Sequence, residues 1–164
     1  MRIRDPRRNS LRGSAVARGM TTDAIYGDAA TIDRVLNDTS TWAVVGLSTN
    51  TERAAYGVAQ VLQRAGKRIV PVHPSAPTVL GEPGYATLAE IPFPVDVVDL
   101  FVRSELAGDV ADQAIAIGAK AVWLQLDVID EAAAERARAA GLDVVMDRCP
   151  AIELRRRGDE EQDA

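Results

Sequence analysis

Three times in this chain an alanine-rich helical stretch ends in a glycine, and an apolar run begins within about two residues. The instances are Ala65-Gly66-Lys67-Arg68-Ile69-Val70, Ile117-Gly118-Ala119-Lys120-Ala121-Val122 and Ala140-Gly141-Leu142-Asp143-Val144-Val145. Glycine there supplies the left-handed residue that closes a helix. The spacing is not an internal repeat. It is the form successive right-handed βαβ units take when short loops join them. Strands alternating with helices imply an α/β fold, a doubly wound and mainly parallel sheet of five strands with helices on both faces.

The hydrophobic pattern fills in the elements. A helix is expected over 28–36, then a strand over 42–47. A helix follows over 54–65, with Ala55, Val58, Ala59, Leu62 and Ala65 on one face. Further strands are expected over 68–72, 95–102, 120–125 and 143–146. Helices are expected over 104–117, capped by Ser104, and over 130–140, capped by Asp130. Residues 78–94 hold Gly81, Pro83, Gly84, Pro92 and Pro94 and read as irregular, with one helical turn near Leu88. Aromatic residues are only 4% of the chain against 47% apolar residues. The core is therefore aliphatic, as suits a sheet buried on both faces.

With 164 residues the chain has the length of one domain. That domain is expected over 23–154. Residues 1–22 read as a basic, disordered extension, with Met20 as an alternative initiator, and 155–164 as a charged tail that frays. The first 19 residues hold six arginines and one aspartate, a net +5, so the total of −5 leaves −10 on the rest. An acidic globular part disfavours nucleic acid and anionic membrane as partners. One cysteine, Cys149, rules out an internal disulfide and fits a reducing, cytoplasmic setting. One histidine, His73, leaves no metal-ligand spacing and no serine–histidine–aspartate arrangement.

The candidate site is the turn after the first strand, Gly46-Leu47-Ser48-Thr49-Asn50-Thr51-Glu52-Arg53. A strand that turns sharply into a helix presents free N–H groups and a positive dipole end, which suits an anionic ligand. Gly46 either admits a phosphate or only permits the turn. Ser48 and Thr49 either donate to a phosphate or cap the helix. The dinucleotide fingerprint fails here: its second and third glycines are missing, and the second strand ends in Val72-His73-Pro74 without the ribose-binding acid. The P-loop pattern is absent too.

From Thr41 to Glu153 the chain resembles the CoA-binding domain family, Rossmann-like domains similar to the CoA-binding part of the succinyl-CoA synthetase alpha subunit. The stretches that carry the resemblance include Ala43–Ser48, Arg53, Val70–Pro74, Val95–Val97, Phe101–Arg103, Val122–Gln125 and Val144–Cys149. The resemblance implies coenzyme A, or an acyl-CoA, at the C-terminal edge of the sheet. Gly46, Leu47, Ser48, Thr49 and Arg53 would hold the phosphates. Val72, His73 and Pro74 would lie along the adenine and ribose. Arg103 and Gln125 would face the cleft. The family usually has asparagine where this chain has His73. The expectation is a stand-alone binding protein without catalysis of its own, with self-association admitted. A small nucleotide-dependent oxidoreductase or transferase, and a ligand-switched interaction module, are the alternatives. Cys149 is either an inert thiol or the partner of the CoA thiol in a mixed disulfide.

Overall fold

The computed structural model describes residues 22–163, so the extension expected over 1–22 lies outside the described residues except for its last position. Five strands, β1 (Thr41–Val45), β2 (Arg68–Val72), β3 (Val97–Leu100), β4 (Ala121–Leu124) and β5 (Asp143–Val145), form one sheet in the order β2-β1-β3-β4-β5. Every pairing is parallel. The helices are α1 (Thr22–Tyr26), α2 (Ala29–Asn37), α3 (Ala54–Arg64), α4 (Ser104–Ala116), α5 (Glu131–Ala139) and α6 (Pro150–Asp163), with a 3₁₀ turn at Leu88–Glu90. The chain winds outward from β1 to β2, then crosses back to β3 on the other side of β1. Strand order therefore reverses between β1 and β3, where such sheets bind ligands.

Alternate residues of each strand feed two cores. Ala43, Val98, Leu100, Val122, Leu124 and Val144 pack with the alanines of α4 and α5. Trp42, Val44, Ile69, Val97, Trp123 and Val145 pack beneath α2, α3 and α6. The indole rings of Trp42 and Trp123 lie 5.6 Å apart between centroids. Each buried ring N–H is satisfied: Trp42 donates to Thr39 Oγ1 and Trp123 to the Arg148 carbonyl, both at 2.9 Å. Asp130 caps α5, its carboxylate accepting from Ala133 N–H at 3.0 Å.

Three expectations need correction. The third strand covers 97–100 rather than 95–102, because an apolar run marks burial and not pairing. Val95 is buried in a loop, and Asp96 next to it takes the N–H groups of Ser40 and Thr41. Ser104 does not cap α4. Arg103 is the residue before the helix, and the Ser104 hydroxyl donates to the Asp127 carbonyl and accepts from Ile129 N–H. The charged segment from 155 belongs to α6, which crosses the boundary set at 154. Ala151 and Leu154 anchor this helix on the core, and Arg157 pairs with both Glu153 and Asp33.

Both outer strands have company. Tyr85 donates its N–H to the Pro71 carbonyl and accepts from His73 N–H, each at 3.0 Å, beside β2. Next to β5, Met146 N–H donates to the Tyr26 carbonyl at 2.7 Å. Among the described residues no helix is long and apolar enough to cross a membrane.

Candidate functional site

The loops at the C-terminal ends of the strands enclose a cleft of about 730 Å³. It runs from His73 above β2, past Gly46, Ser48, Asn50 and Arg53 above β1, to Phe101–Ser104 above β3 and Gln125–Val128 above β4. The switch in strand order thus lies beneath its centre.

Gly46 is held there by the fold itself. Its φ is +101°, and a Cβ would run into the Phe101 carbonyl oxygen of β3's trailing loop. Its N–H donates to the Val72 carbonyl at 2.8 Å. The turn that follows is built from side-chain-to-backbone bonds. Ser48 Oγ accepts from Asn50 N–H at 3.2 Å, and Asn50 Oδ1 accepts from Glu52 N–H at 3.1 Å. Helix α3 begins only at Ala54, so neither Ser48 nor Thr49 caps it. Ser48 lines the cleft, and its hydroxyl keeps a donor beside the bond it accepts.

The helix starts differ in a telling way. Helix α2 is capped by Asp28, whose carboxylate accepts from Thr31 N–H at 2.8 Å, and α5 is capped by Asp130. The two helices that start at the switch point have arginines in that position, Arg53 for α3 and Arg103 for α4, and neither has a side-chain cap. Ala54, Ala55 and Ser104, in their first turns, line the cleft. A cation at a helix N-terminus is unfavourable unless an anion joins it. Two such ends, two arginines and one lining acid, Asp127, concentrate positive potential here in a chain of net −5.

His73 Nδ1 accepts from Ser75 N–H at 3.2 Å and lies 2.9 Å from Ser75 Oγ. With Nδ1 used as an acceptor, the neutral ring carries its proton on Nε2, which is left as a donor. Gln125 is 7% exposed, and its Oε1 is buried without a partner.

Of the residues expected from sequence, Gly46, Ser48, Arg53, His73, Arg103 and Gln125 line one cleft. Leu47 and Val72 turn their side chains into the core. Thr49 and Pro74 are exposed and do not line the cleft. Asn50, part of the expected turn, lines the cleft as well, and so do Leu126 to Val128, which follow β4 at the strand ends where such sheets bind ligands; sequence reasoning missed the first turn of α3. A signal for the helix starts was present: Arg53 and Arg103 stand where Ser, Thr, Asp or Asn is usual. Cys149 is 8% exposed, packs in the Trp123 core and does not line the cleft. Asp99, in mid-β3, is fully buried with neither carboxylate oxygen partnered, and burial drives its pKa well above the ordinary range. No cluster suited to a metal ion occurs among the described residues.

Known proteins bear on this cleft. The chain is 35% identical over 120 residues to the uncharacterized protein YneT of Bacillus subtilis (strain 168), covering 73% of this chain and 89% of that one. It resembles the solved structure of a hypothetical protein from Pyrococcus horikoshii OT3 at 37% identity and a TM-score of 0.74, over 77% of this chain and 89% of that one. A dinucleotide-forming acetyl-coenzyme A synthetase of Ca. Korarchaeum cryptofilum shares the fold at 23% identity and a TM-score of 0.58, over 68% of this chain and 26% of its own. The family model described as "CoA binding domain" matches residues 40–155, which include every strand and the whole cleft, and the chain belongs to that family.

Proposed function

We propose that this protein is a stand-alone binder of coenzyme A or acyl-CoA, with no catalysis of its own. The observation that carries the reading is the pair of uncapped helix starts, each preceded by an arginine, opening into one cleft. A diphosphate answers both ends together: it takes the free N–H groups and neutralises Arg53 and Arg103. In this reading the diphosphate sits over β1, between Ser48 and Arg53. The adenosine end lies toward β2, where His73 Nε2–H donates in place of the family's asparagine. The pantetheine arm runs over β3 toward Gln125.

Calorimetric titration with CoA tests the reading. Arg53→Ala and Arg103→Ala should each weaken binding roughly 10- to 100-fold, the worth of a charge-assisted hydrogen bond of ~1.5–3 kcal/mol. Affinity should also fall with added salt. No binding of CoA, or tighter binding of NAD than of CoA, would overturn it.

A further inference from the structure

Among the described residues four large apolar side chains stand well exposed: Leu106, Leu126, Ile129 and Ile152. A single exposed leucine needs no explanation. Of the four, Leu126 lines the cleft, while Ile129 and Leu106 flank the cleft-lining Ser104, Ile129 through its N–H bond to Ser104 Oγ and Leu106 two residues along the first turn of α4. The loop is pinned. Ser104 Oγ holds Asp127 O at 3.2 Å and Ile129 N at 3.1 Å, and Asp127 N–H donates to Asp147 Oδ1 at 2.8 Å. Val128 turns inward from this loop and is 7% exposed, while Leu126 and Ile129 on either side are 46% and 38% exposed. A fixed loop therefore holds apolar side chains out at the rim of the site.

We infer that the ligand carries an aliphatic acyl group and that the rim of Leu106, Leu126 and Ile129 receives it, so that acyl-CoA rather than free CoA is the preferred ligand. The inference rests on the CoA reading above and follows from reach. Neighbouring strands lie ~4.8 Å apart, so β4 is about 10 Å from β1 across the sheet. The pantetheine arm, with two amide linkages, is roughly as long as four extended residues, or about 14 Å. An arm anchored by its diphosphate over β1 brings its sulfur to the far rim. On the way it passes Gln125, which lines the cleft. A bare thiol gains little from the apolar surface at the end of that path. An alkyl chain gains about twofold in affinity per half-buried methylene, or fourfold if fully buried.

Titration of the full chain with CoA, acetyl-CoA, butanoyl-CoA and octanoyl-CoA tests this. Affinity should rise with chain length, with octanoyl-CoA at least tenfold tighter than CoA, and excess CoA should displace it. Leu126→Ser and the double variant Leu106→Ser with Ile129→Ser should bring the octanoyl-to-free ratio toward one. These positions are exposed, so the fold does not depend on them. Equal affinity for CoA and octanoyl-CoA overturns the inference and leaves the CoA reading standing, as does a chain-length gain that survives both variants. If none of the four ligands binds, the underlying reading fails and takes the inference with it.

Discussion

Asp99 puts a carboxyl at the middle of the central strands, between Val44 of β1 and Trp123 of β4, with no hydrogen-bond partner for either oxygen. Burial raises its pKa well above the ordinary range, while an unfolded aspartate titrates near ~3.9. Between those two values the native protein keeps a proton that the unfolded chain has lost. Stability from this residue is therefore full below about pH 4 and declines as pH rises through the native pKa. Asp99→Asn removes the titration. Urea denaturation across a pH series should show the wild type losing ground to Asp99→Asn as pH climbs above ~4; a constant difference would refute a raised pKa. Gly46 gives a second test at this scale. Its positive φ and the Phe101 carbonyl forbid a side chain, so Gly46→Ala should cost about 2–4 kcal/mol in denaturant unfolding even without ligand. Loss of binding in that variant says nothing about phosphate contact. Gly46 was legible in the sequence because a strand–glycine–helix turn has few causes. Asp99 was not, since a lone aspartate in an apolar run has the same letter whether it is buried, capping or exposed.

At the scale of elements, α3 and α4 forgo the capping that α2 and α5 possess. Under the proposed function this trades helix stability for a ligand end, and the two effects separate by sign. Arg53→Asp places a capping carboxylate at a positive dipole end and should stabilise the free protein by roughly 1 kcal/mol. The same change should weaken CoA binding by more than Arg53→Ala does, because it adds a like charge against the diphosphate. Thermal unfolding and titration of the one variant check both halves, and an unfavourable shift in the first would contradict an uncapped α3. Element existence was readable from periodicity for every strand and for α2 to α5. The ends were not. Leu47 continues the apolar run but lies beyond the end of β1, and Ser104 has a capping residue's chemistry but spends its hydroxyl on the loop after β4. Helix α6 was hidden because its hold is tertiary. Leu154 packs on the core and Arg157 reaches Asp33 on α2, a pairing invisible from the charged composition of 155–164.

For the whole molecule, the alternation of elements carried the fold because a parallel sheet leaves little freedom once strands and helices alternate with short loops. The site followed from topology more than from any motif: strand order brings the ends of β1 to β4 together, and residues spread from Gly46 to Gln125 share one cleft. The far wall, Leu126 to Val128, was legible only by position, as the segment that follows β4, since its place comes from standing two strands away from the glycine turn.

The occupied margins of the sheet have one more consequence. An exposed strand margin is the usual template on which another chain lays a strand, in domain exchange, fibre growth or dimers built by sheet extension. Here the segment through Tyr85 already bonds outside β2, where Pro71 contributes no N–H, and the Tyr26 carbonyl stands at the end of the three-residue β5. At those positions an incoming strand finds backbone groups already bonded, which disfavours association of copies by sheet extension there.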